Sequence, residues 1–169
     1  MKKSIIGVML LLTGCVGLPE GVRPVENFHL ERYLGRWYEI ARLDHGFERG
    51  LTRVTADYSL LEDGGVRVVN RGFDAANNTW KEAAGKAFFV RSPDTGYLKV
   101  SFFGPFYGSY VIIDLDHEHY RYSLVCGPDR SYLWILARTP DLDRVVRERL
   151  LATAAAQGFA TEKLIFVSH

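Results

Sequence analysis

Few residues of this chain could do chemistry: two cysteines, five histidines and a carboxylate on a strand face. Cys15 closes the run Leu12-Thr13-Gly14-Cys15, a small residue followed by a cysteine at the end of an apolar stretch. That order resembles the bacterial lipobox, in which cleavage before the cysteine leaves it lipidated at the new N-terminus. Met1-Lys2-Lys3 supplies a cationic start. Ser4 to Gly14 is apolar but far short of the roughly 20 residues that cross a bilayer. Residues 1–14 therefore read as a lipoprotein signal peptide, against the alternative of an ordinary secretory signal with an incidental cysteine. Val16 stands where bacteria of the Gram-negative type commonly place an aspartate for inner-membrane retention, so the sorting resembles that to the outer membrane.

The other reactive residues carry less. With Cys15 lipidated, Cys126 has no partner, so a disulfide framework is excluded and Cys126 reads as a small buried residue. His117-x-His119 sits in a turn without a third ligand, so no metal site is expected. Asp44-His45 is a dyad without a nucleophile, and no Gly-x-Ser-x-Gly elbow occurs. No catalytic residue and no cofactor are expected; a lipid-acting enzyme is a rival reading, separable by testing for fatty acid released from lysophospholipid. Formal charge is +1; without Lys2 and Lys3 it is 19 basic against 20 acidic residues, or −1. That balance gives nucleic acid nothing to bind.

These residues need elements to hold them. Residues 15–26, with Gly17, Pro19, Gly21 and Pro24, read as a lipidated N-terminus and short tether. Residues 27–169 read as one domain. Asn27 is placed to cap a brief helical turn through Arg32. Period-two alternation then predicts eight strands: Trp37 to Leu43, Thr52 to Leu61, Val66 to Phe73, Trp80 to Val90, Tyr97 to Phe103, Ser109 to Leu115, Tyr120 to Cys126 and Tyr132 to Arg138. Glu62-Asp63-Gly64-Gly65 and Ser92-Pro93-Asp94-Thr95-Gly96 are turn sequences. A helix opens near Thr139-Pro140, with Leu142, Val145, Val146, Arg149, Leu150 and Ala154 as its inner stripe, and Gly158 ends it. A short last strand covers Leu164 to Val167. The sum is an all-β fold: an eight-stranded antiparallel up-and-down β-barrel with one C-terminal α-helix packed outside and a short final strand.

Alternation also assigns faces. Lys99 and Ser101 toward water place Leu98, Val100 and Phe102 inside. Arg67 and Arg71 outside place Val68 and Asn70 inside. Ala56 and Tyr58 face in, as do Phe89, Tyr110, Ile112, Trp134 and Leu136. Tyr38 and Arg42 outside leave Trp37, Glu39 and Ala41 inside. An indole at Trp37 and the guanidinium of Arg138 plug one end, a structural pair. Glu39 on an inner face must be paired, hydrogen-bonded or neutral, by tyrosine, asparagine or arginine at the barrel floor or by a ligand head group. Small residues at 41, 56 and 68 and aromatics with polar handles favour a hollow interior that takes one greasy ligand. A barrel filled by its own side chains would instead suit an envelope scaffold, whose Gly104 to Gly108 turn would meet membrane or a partner.

Gly35-x-Trp37, Asp114-Leu115-Asp116 with Tyr120, and Arg138 resemble the three signatures of the lipocalin family, the second in degenerate form. Longer runs, among them Trp37 to Arg42, Phe47 to Leu51, Lys99 to Gly108 and Tyr132 to Pro140, are similar to the lipid-anchored lipocalins of the bacterial outer membrane. The likeness covers Asn27 to His169. It implies a non-enzymatic barrel that binds, stores or carries fatty acids or lysophospholipids, is held by its N-terminal lipid on the periplasmic face of the outer membrane, and helps maintain membranes under stress. Some members pair as homodimers, which the sequence leaves open.

Overall fold

Each apolar–polar alternation hands over to the next through a turn that its residues can close. In the turn of residues 61–65 Gly64 takes φ +81° and Asp63 Oδ1 accepts from the Gly65 amide at 2.9 Å. The computed structural model describes residues 16–169, so the leader and Cys15 lie outside the described residues. The elements are α1 (Leu30–Tyr33), β1 (Gly35–Arg42), β2 (Leu51–Leu60), β3 (Val66–Asp74), β4 (Thr79–Phe89), β5 (Tyr97–Phe103), β6 (Phe106–Leu115), β7 (Tyr122–Cys126), β8 (Leu133–Ala137), α2 (Arg144–Ala156), a 3-10 turn (Thr161–Lys163) and β9 (Ile165–Phe166).

All strand pairings are antiparallel, successive strands from β1 to β8 pair with one another, and β1 also pairs with β8, which closes the barrel. Closure leaves no long edge unpaired. β1 meets β2 only over Gly35 to Tyr38. Beyond that the C-terminal segment fills the seam. β9 pairs with Ala41 and Arg42, the Val167 amide donates to the Ile40 carbonyl at 3.0 Å, and the Arg53 amide donates to the Ser168 carbonyl at 2.7 Å.

Two apolar clusters follow. One fills the barrel, with Trp37, Tyr58, Val68, Leu98, Ile112 and Leu136 among its members. The other lies between the outer wall and α2, where Leu150 and Ala154 are fully covered. Arg149 ties the helix to the wall through Asp114, at 2.7 Å.

Several expectations are corrected. The cap of α1 is His29, not Asn27, which takes φ +54° ahead of the turn. The long helix begins at Arg144 rather than near Pro140, because the Asp143 carboxylate accepts from the Val145 and Val146 amides. Val145 is 66% exposed and leaves the expected stripe. The largest change is in β1. Its register against β8 shifts between Glu39 and Ala41, a bulge that reverses the faces. Ala41 therefore joins the outer cluster and Arg42, expected outside, turns inward. Ser101 is buried rather than water-facing, where β5 and β6 slip register. The tether also hugs the wall: Leu18 and Val22 pack in the outer cluster, and the Val25 amide donates to the Ile112 carbonyl at 2.8 Å.

Candidate functional site

An up-and-down barrel puts alternate turns at opposite ends. The turns after β2, β4 and β6 share one end with the N-terminal segment, and that end is shut. Trp37 Nε1 donates to the Tyr33 carbonyl at 2.8 Å. Arg138 lies 4.0 Å over the Trp37 ring and donates to the carbonyls of Tyr120 (3.2 Å), Arg36 (2.9 Å) and Arg32 (2.7 Å). One guanidinium thus joins three chain segments and an indole face. Gly35 beside it takes φ +92°, and a Cβ there would come 3.5 Å from Arg138. Asp116 organises the β6–β7 turn by accepting from the His119 and Arg121 amides and from Arg121 Nε.

Inside, the register brings the expected wall residues together. Trp37 stands opposite Ala56 and Ala56 opposite Asn70; Tyr58 opposes Val68; Phe89 opposes Leu98 and Leu98 opposes Tyr110. Val100, Phe102, Trp134 and Leu136 complete the inner cluster with Ile112. Near the floor, Tyr110 Oη is 2.8 Å from Tyr33 Oη and 2.9 Å from Tyr58 Oη, and Tyr33 Oη is 3.1 Å from Ser123 Oγ. Burial pushes the Tyr33 phenol up to about 12, and it raises Tyr58 and Tyr110 as well. All three stay neutral and serve as hydroxyl donors and acceptors.

The hollow expected here is small. The apolar cavity at the floor, lined by Phe28, Tyr33, Val66, Val68, Ala87 and Tyr110 among others, measures about 20 Å³. That is room for about one water, whereas ligand pockets commonly run to about 300–1,000 Å³. Above that floor small residues face the axis: Asn70 opposes Ala83, and Val68 and Val100, which also border the floor cavity, oppose Gly85 and Gly108. Ala56, Asn70, Gly85, Val100, Phe102, Gly108 and Tyr110 are each half-buried, and Ala83 is exposed. Inward-facing residues of a closed barrel reach solvent through the mouth, so the cup is open from above and narrow at its base.

Sequence reasoning missed the polar cluster under the β1–β2 loop. Arg42 Nη1 donates to Glu39 Oε1 at 2.7 Å, and Nη2 donates to the carbonyls of Glu48 (2.8 Å) and Leu51 (3.2 Å). Trp134 Nε1 donates to Glu48 Oε2 at 3.1 Å, with His45 Nε2 2.9 Å from the same oxygen. His45 also stacks on Phe47 and lies against Trp134. Glu39, Arg42, His45 and Glu48 are all buried. Burial, reinforced by the Glu48 charge, holds the Glu39 carboxyl well above its ordinary range against the pull of Arg42. Burial acts the same way on Glu48, but its contacts with His45, Trp134 and Arg42 outweigh it and hold it below. Glu39 thus meets an arginine, one of its expected partners, on the mouth side of Trp37 rather than at the floor. The signal that would have revealed this, the bulge, depends on pairing with β8. Burial raises the Cys126 thiol to about 12, so it is no nucleophile. Among the described residues no His, Cys, Asp and Glu group is arranged to hold a metal.

Comparison with known proteins matches this geometry. A family model described as a Lipocalin-like domain covers residues 28–169. The chain is 54% identical over 160 residues to a Vibrio cholerae protein named outer membrane lipoprotein Blc, covering 95% of this chain and 94% of that one. It is 56% identical over 151 residues to the protein of the same name from Escherichia coli K12, covering 89% and 85%. Among solved structures, insecticyanin from the tobacco hornworm Manduca sexta superposes with a TM-score of 0.72 at 22% identity, over 90% of this chain and 87% of that one.

Proposed function

The chain belongs to the lipocalin family, and from that premise we propose that it carries one fatty acid or lysophospholipid, acyl tail down, in the mouth half of its barrel. Lipocalins of this kind are binding proteins rather than enzymes, and this one is an outer-membrane lipoprotein. The observation that carries the reading is the uncovered inner wall: Ala56, Asn70, Gly85, Val100 and Phe102 face the axis and are only half-buried. Apolar surface held open to water is a standing source of binding free energy, about 25 cal/mol per Å² covered. The tail enters past Ala56, Val100 and Phe102, and its end points down at Val68, Ala87 and Leu98, which line the floor cavity. Phe89, Asn70, Trp134 and Leu136 complete the wall, Ile112 packs behind it, and Tyr58 and Tyr110 offer hydroxyls. Trp37 and Arg138 seal the base, and the Glu39–Arg42 pair stands near the rim.

In this reading Cys15 bears the lipid that holds the barrel to the membrane, on the periplasmic face. A part in membrane maintenance under stress is tested by survival of cells lacking the protein during envelope stress; unaltered survival would remove it.

One observation favours a second reading, a scaffold with a filled barrel: the floor cavity of about 20 Å³ takes no acyl chain as it stands. Native mass spectrometry of the purified chain with palmitic acid and a 16-carbon lysophospholipid separates the two. A carrier retains one lipid per chain, and Ala56→Trp, which fills the wall, weakens retention at least about tenfold, or 1.4 kcal/mol. No retained lipid, or equal retention by the variant, favours the scaffold.

A further inference from the structure

The two most exposed large apolar side chains of the described residues are Phe103 at 82% and Phe106 at 75%. They sit directly opposite each other at the tip of the β5–β6 hairpin. Antiparallel order puts this tip at the mouth, together with the β1–β2 loop and the start of β4. Those two elements expose Phe47 (63%) and Trp80 (43%). The closed end carries less: Leu60 (59%) and Val90 (37%) stand among exposed Glu62, Asp63, His117, Glu118, His119 and Arg121, with no exposed aromatic ring among the described residues there. A rim of four exposed aromatic rings marks a contact surface.

The path of the N-terminal segment says what covers it. Tyr97 Oη donates to the Val16 carbonyl and Ser109 Oγ to the Gly17 carbonyl, so the chain next to Cys15 is pinned on the outer wall of this same hairpin. Arg130, in the mouth-side β7–β8 turn, holds the Glu20 carbonyl at 2.7 Å. Ser109 is three residues along β6 from Phe106 and Tyr97 is six along β5 from Phe103, roughly 10 and 20 Å at about 3.3 Å per residue. The start of the described chain is thus held on the hairpin that carries the phenyl pair, within the reach of a lipid anchor from the same surface.

We propose that the β5–β6 hairpin tip, through Phe103 and Phe106, is a second membrane contact that docks the barrel mouth-first on the bilayer holding its anchor. This rests on the reading of Cys15 as the lipidated residue. It adds an orientation: the cup opens toward the surface from which its ligand comes.

The test uses the lipidated chain in vesicles of phosphatidylethanolamine and phosphatidylglycerol. Nitroxide labels are placed by Phe106→Cys at the tip or Leu60→Cys at the closed end, where Leu60 is 59% exposed. Cys126 is buried and stays unlabelled. Flotation first establishes anchoring, and label accessibility is then read. Docking requires the label at 106 to relax more with oxygen than with a water-soluble nickel chelate, and the label at 60 to do the reverse. A chain that floats with both labels in water overturns docking and leaves the anchor standing. A chain that does not float overturns both. A label at 106 that is dry only when protein is crowded on the vesicle reports a second copy of the chain and also overturns the proposal.

Discussion

Replacing Arg138 by methionine keeps the aliphatic stem and removes the guanidinium that closes the barrel. Three bonds to the carbonyls of Tyr120, Arg36 and Arg32 are lost, with a cation over Trp37 at 4.0 Å. A bond from a charged donor is worth about 1.5–3 kcal/mol when buried. Arg138 is half-buried and water replaces part of each, so about 0.7 kcal/mol per bond is the sounder figure. The cation–π contact adds about 1 kcal/mol. The loss is then about 3 kcal/mol, and at about 2–4 °C per kcal/mol for a domain of this size the melting temperature falls by about 6–12 °C. Arg138→Lys keeps a charge over the indole but cannot reach three carbonyls, so it recovers about a third of the loss. Thermal unfolding followed by near-ultraviolet circular dichroism, which reports Trp37, measures both variants. A methionine variant melting within about 1 °C of the parent would refute the closure argument.

Other consequences are open to direct measurement. Asp74, held at about 2 by Lys81 and Asn77, stabilises the fold above the ordinary aspartate range of about 4. That contribution is lost as pH falls from about 4 to 2, so Asp74→Asn should flatten the acid limb of a stability–pH curve; an unchanged limb counts against it. Glu39 behaves oppositely, since its folded value is raised. Its contribution is present below the unfolded value of about 4.3 and is lost as pH rises through the elevated folded one. Glu39→Gln should therefore lose less stability than the parent as pH rises above the ordinary glutamate value of about 4.3 in urea titrations, and parallel curves would show that burial does not raise Glu39. Val167→Pro removes the amide that bonds Ile40; a loss of about 1–2 kcal/mol in urea unfolding is expected, and none would mean the C-terminal seam carries no stability.

Much of this was legible because local chemistry and tertiary outcome agree. Asp63-Gly64-Gly65 makes a turn in any context, and Arg67 and Arg71 must face water, so the faces of β3 follow from the chain alone. The pairing of Trp37 with Arg138, across a hundred residues, was legible only because an indole and an unpaired guanidinium at strand ends suggest a common plug. The faces of β1 past Glu39 were not legible. A single extra residue in the ladder sends Arg42 inward, and only β8 on the far side of the closure reveals it. Thr139, ahead of Pro140, and Asp143 are both residues that can cap a helix, and Asp143 caps α2 because its carboxylate reaches two amides at once. Cavity volume depends on how the side chains that line it, Phe28, Tyr33 and Tyr110 among them, pack together, which no spacing encodes.

The most direct measurement is an isotope-filtered nuclear Overhauser spectrum of the protein with carbon-13-labelled palmitate. Methylene cross-peaks to the methyls of Val68, Ala87, Leu98 and Val100 are the expected result for a tail lying in the barrel. Cross-peaks confined to Phe103 and Phe106, or none at all, would contradict it and leave a barrel that touches lipid without holding it.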